Sequence, residues 1–181
     1  MLGTWFGGNV DLSVLDDRIL HDLTKFPIST TERLAITQCE ALARPGADES
    51  GAYQALFMMN NLHTLALIDY LNLSFILALN PDKNTSNIVV CPKLEDLVLF
   101  FQGLQEESCI DELLEMAKGR ASRGAKLSTI VIICPRELIP TEKVSDLRRY
   151  VSCVEYRLDN TAPRWDVLPG EADKDYRDSD W

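Results

Sequence analysis

One spacing of apolar positions recurs along the chain: an apolar residue, two others, a second apolar residue, one other, and a third. It occurs as Leu62-x-x-Leu65-x-Leu67, Leu94-x-x-Leu97-x-Leu99, Leu127-x-x-Ile130-x-Ile132 and Val151-x-x-Val154-x-Tyr156. A weaker first copy is Thr31-x-x-Leu34-x-Ile36. The central residues Leu34, Leu65, Leu97, Ile130 and Val154 are separated by 31, 32, 33 and 24 residues. Alternation within each copy predicts a short strand, because residues two apart share one face. Between copies the apolar spacing changes to three and four residues, which predicts helices. These cover Leu12–Phe26, Ser50–Asn60, Leu71–Leu79, Cys109–Ala121 and Thr141–Tyr150, with Ser108 as the N-cap of the fourth.

A strand and a helix repeated at near-constant period form the pattern of a leucine-rich repeat, and Cys39 stands where that consensus takes Asn or Cys. One copy cannot bury its own leucines, so neighbours must stack into a shared core. The expected fold is therefore α/β: a leucine-rich-repeat arc of about five parallel strands in sequential order, with helices on the convex side. An open α/β sheet is the alternative, since alternation of strand and helix alone implies no more than that. Residues 1–9 read as a flexible, glycine-containing start and 10–158 as the repeat domain. Residues 159–181, with Pro163, Pro169 and an acidic end, read as a largely disordered tail.

The residues between the leucines face the other side of the sheet. Across the copies one row reads Ala35, Ala66, Val98, Val131, Glu155, and the next reads Thr37, Ile68, Phe100, Ile133, Arg157. Adjacent strands lie roughly 4.8 Å apart, so each row is a ladder of neighbours. Ile68, Val98, Phe100, Val131 and Ile133 are thus expected to form one apolar patch flanked by polar or charged end copies. On an open sheet face such a patch would mark a partner-binding site.

Composition narrows the function by exclusion. The formal net charge is −10 with a pI near 4.6, which disfavours phosphate binding and docking on anionic lipid. No nucleic-acid or membrane partner is expected. Cys39, Cys91, Cys109, Cys134 and Cys153 are odd in number and scattered, a pattern of reduced, mostly buried thiols in a cytoplasmic or nuclear protein. His21 and His63 stand apart with no ligand pattern around them, and no phosphate-binding loop or nucleophile elbow is present. The chain is expected to be no enzyme and to hold no metal or cofactor. Arg120, Arg123, Arg148 and Arg149 read as helix-end cations on the surface. A small doubly wound α/β enzyme is the rival, with Cys134, Asp69 and Tyr70 at its strand ends.

Three stretches carry a family likeness. Val90-Cys91-Pro92-Lys93-Leu94-Glu95-Asp96-Leu97-Val98-Leu99 is one. The run from Glu112 to Leu127, with its Ala121-Ser122-Arg123-Gly124-Ala125-Lys126-Leu127 string, is another. The third is Leu147 to Tyr156, with Trp165 beyond it. Together they resemble leucine-rich copies of the large F-box protein family of mushroom-forming fungi (basidiomycetes), over roughly the last two thirds of the chain. The resemblance implies a protein partner, presented as substrate to an SCF-type ubiquitin ligase. The sequence departs from the family in showing no F-box: Leu12–Pro27 is too short and lacks the Leu-Pro start. It thus reads as the repeat region only, with a truncated gene product that has no function of its own as a further alternative, and the element that would bind the SCF adaptor is not found.

Overall fold

The computed structural model describes residues 9–11, 28–36, 56–68, 72–84, 87–101, 106–134 and 141–158. Among them are six strands: β1 (Asn9–Asp11), β2 (Arg33–Ile36), β3 (Thr64–Ile68), β4 (Asp96–Phe100), β5 (Thr129–Cys134) and β6 (Cys153–Leu158). Three α-helices connect the later strands: α1 (Asn72–Leu79), α2 (Glu106–Ser122) and α3 (Thr141–Leu147). The strands form one parallel sheet in the order β1-β2-β3-β4-β5-β6. The repeat pattern predicts five of them in this order. The sixth, β1, falls at the boundary of the start expected to be flexible, where Val10 pairs with Leu34.

The register is the one the leucine spacing predicts. Leu34 pairs with Leu65, Leu65 with Leu97, Leu97 with Ile130, and Ile130 with Val154. A slip of one residue would turn each strand's leucines to the opposite face, so the pattern fixes the pairing strongly. The strands also begin alike. The Glu32 carbonyl accepts from the amides of His63 and Thr64, that of His63 from Glu95 and Asp96, and that of Glu95 from Ser128 and Thr129.

Winding in one direction decides where the helices go. Parallel crossovers are right-handed, so connections that always step to the next strand on the same side stay on one face. Phe75, Ile76 and Leu79 of α1, Ile110, Leu113, Met116 and Ala117 of α2, and Val144 and Leu147 of α3 all join Leu65, Leu67, Leu97, Leu99, Ile130 and Ile132 in one buried cluster. The stripe predicted for α2 is thus inward, with Leu114 only partly buried. Its start differs from expectation. Ser108 is not the N-cap but lies inside a helix that begins at Glu106.

The sheet is not curled, so the expected arc with a convex helix side is not the shape formed. Arcs arise where helices about 10 Å wide stack against strands about 4.8 Å apart and force the strand side to close. Here the face opposite the helices is itself buried, so the strand side is filled and has no open concavity to close. The predicted helix Leu12–Phe26 and the tail 159–181 lie outside the described residues, as does most of Ser50–Asn60.

Candidate functional site

The sheet face opposite the helices holds the residues expected to bind a partner. Val98, Phe100, Val131 and Ile133 come together with Ala66 in a second apolar cluster, and Ala35 packs at its edge. Ile68 sits beside Phe100 in the register, and its side chain is outside the described set. The patch therefore assembles, but not as an open surface: its four described members from the expected site are between 1 and 5% exposed. Among the described residues, no side chain of α1, α2 or α3 contributes to it. The apolar ladder stops at β6, where the same rows continue as Glu155 and Arg157. There Arg157 Nη2 donates to Glu155 Oε2 at 2.6 Å and Nε to the same oxygen at 3.1 Å.

One row on this face is accessible. Arg33, Thr64, Asp96, Thr129 and Cys153 are partners across five consecutive strands. The first four are half-buried, Arg33 with its Nη2 buried and without a hydrogen-bond partner, and Cys153 is exposed. They point to the Phe100 side because they lie two positions before Ala35, Ala66, Val98, Val131 and Glu155. Four strand spacings make the row about 19 Å long. The leucine pattern contained this row, one position ahead of its first strand leucines, but polar residues at strand starts carry no hydrophobic signal and drew no attention. Beside it, His63 Nδ1 lies 3.8 Å from Glu95 Oε1, both side chains largely in solvent.

The strand beginnings are held from the helix side by a cation that sequence reasoning placed on the surface. Arg120, in the last turn of α2, is fully buried. Its Nη1 donates to the Val90 carbonyl at 2.7 Å and its Nη2 to the Cys91 carbonyl at 2.9 Å. Its Nε is buried without a hydrogen-bond partner. Cys91 itself has φ 47°, and its Sγ donates to the Leu56 carbonyl at 3.1 Å. Arg120 thus fastens the turn leading into β4, and Cys91 fastens that turn to the preceding copy. Burial pushes the Cys91 thiol up to about 12 against a smaller opposing effect of the Arg120 charge. The same burial brings Arg120 down to about 10, with Cys91 opposing weakly. Cys91 is therefore a protonated structural thiol at neutral pH, not a nucleophile.

Arg123 lies nearer the surface than Arg120, its Nη1 2.8 Å from Asp82 Oδ1 and its Nη2 donating to Asn87 Oδ1 at 2.5 Å. Lys83 reaches Glu112 at 2.5 Å, and Lys143 reaches Asp111 at 2.7 Å. The neighbouring carboxylates Asp111 and Glu112 are thus separate surface ion pairs. Cys109 and Cys134 are buried thiols like Cys91, as expected for most of the set, and Cys153 is exposed. Of the rival enzyme's residues, Cys134 is buried, while Asp69 and Tyr70 lie outside the described residues. Among the described residues no group of three His, Cys, Asp or Glu side chains could hold a metal ion, and no helix is long and apolar enough to cross a membrane. Set against known proteins, the chain matches no family model, no curated sequence and no solved structure.

Proposed function

We propose that the chain is a leucine-rich-repeat-like module for protein recognition, and that it receives its partner along the row Arg33, Thr64, Asp96, Thr129 and Cys153. The observation that carries this reading is the sequential parallel order of the strands, which sets one accessible side chain from each copy side by side. A straight row about 19 Å long suits an extended protein surface, whereas small molecules are held in concave, mostly apolar pockets. The Phe100 patch takes a supporting role, since a partner would first have to uncover it. The likeness to fungal F-box receptors gives the reading its specific form, the substrate-binding repeats of a ubiquitin-ligase receptor. A single winding direction favours this over a doubly wound enzyme, whose ligand crevice needs a reversal of strand order.

The test is capture from a fungal extract on the tagged chain, with lysine cross-linking to map the contact. A stoichiometric protein partner is expected, and Asp96→Arg combined with Thr129→Arg should release it while leaving circular dichroism and Tm within a few degrees of the parent. Undiminished capture by the folded double variant would refute the row as the docking site. Thermal stabilisation by a small metabolite, with no protein retained, would refute the recognition reading itself.

A further inference from the structure

We draw no further inference here: the strongest candidate, the buried apolar cluster of Ala66, Val98, Phe100, Val131 and Ile133 on the sheet face opposite the helices, carries nothing because nothing in the structure shows what covers it.

Discussion

Phe100 and Cys91 show how far a residue's environment decides its role. Phe100 occupies the centre of the second cluster at 2% exposure. Truncating a buried phenylalanine removes its transfer energy and leaves a cavity, so Phe100→Ala should lower stability by about 3–5 kcal/mol in urea titration. A change below about 1 kcal/mol would show the ring to be dispensable to the core. Cys91 makes a prediction about pH. Its folded pKa of about 12 lies above the ordinary value of 9.0, so the folded state keeps a proton that the unfolded state loses from pH 9 upward. Stability from this group is complete below pH 9 and fades as pH rises toward 12. Arg120 works in the opposite sense, because its folded pKa of about 10 lies below 12.5 and the unfolded state binds more protons between those values. Between pH 9 and 10 the Cys91 effect is the larger of the two, with Arg120 beginning to oppose it. Stability should fall there by on the order of 1 kcal/mol, and urea titrations of Cys91→Ala should show a flatter dependence across that unit. Arginine reads as a surface cation in any sequence. Nothing in Arg120-x-x-Arg123 reveals that two carbonyls of the neighbouring copy wait beneath the first arginine and not the second.

At the scale of elements, the repeat extends beyond the strands. Cys91 stands three residues before Leu94 and Gly124 three before Leu127, and both have left-handed backbones, φ 47° and φ 75°. At Gly124 the turn closes α2: the Ala125 amide donates to the Arg120 carbonyl at 3.0 Å and the Gly124 amide to that of Ala121 at 3.1 Å. This paired arrangement is the helix end that glycine favours. A methyl group at Gly124 would meet no atom within 4 Å, so only backbone strain opposes it. Gly124→Ala should therefore cost about 1 kcal/mol and lower Tm by a few degrees in calorimetry, and an unchanged Tm would count against a left-handed turn. At Gly119 the limit is space: a methyl there would lie 3.2 Å from Asn80 Oδ1 and 3.3 Å from Pro81 Cδ, both on buried residues. The turn after α1 consequently rests directly on α2.

Across the whole molecule, strand order and register were legible because alternating leucines state which face is inward and constant spacing states which copies adjoin. Val10 escaped notice because β1 is three residues long and offers one apolar position to count. What covers the second face was not legible in principle, since a sequence shows which side chains share a side but not what lies above them. The same one-dimensional arrangement predicts a gradient of local stability. The last four residues of β4 and the last five of β5 are buried, whereas β6 buries only Val154 and ends at Leu158, 62% exposed. Native-state hydrogen exchange should be slowest in β4 and β5 and faster in β6. Equal protection in all three would mean that the array opens only as a unit.

Because every described strand from β2 to β5 pairs only with its predecessor and its successor in the chain, the array has no strand that must be threaded between two others already laid down. An in-frame tandem duplication of about 32 residues would supply a strand, its crossover helix and its row residue together, and would leave every existing crossover its former handedness. Length in such a protein is free to change by whole copies, and each added copy would widen the row that runs from Arg33 to Cys153 by about 4.8 Å without disturbing the residues already on it.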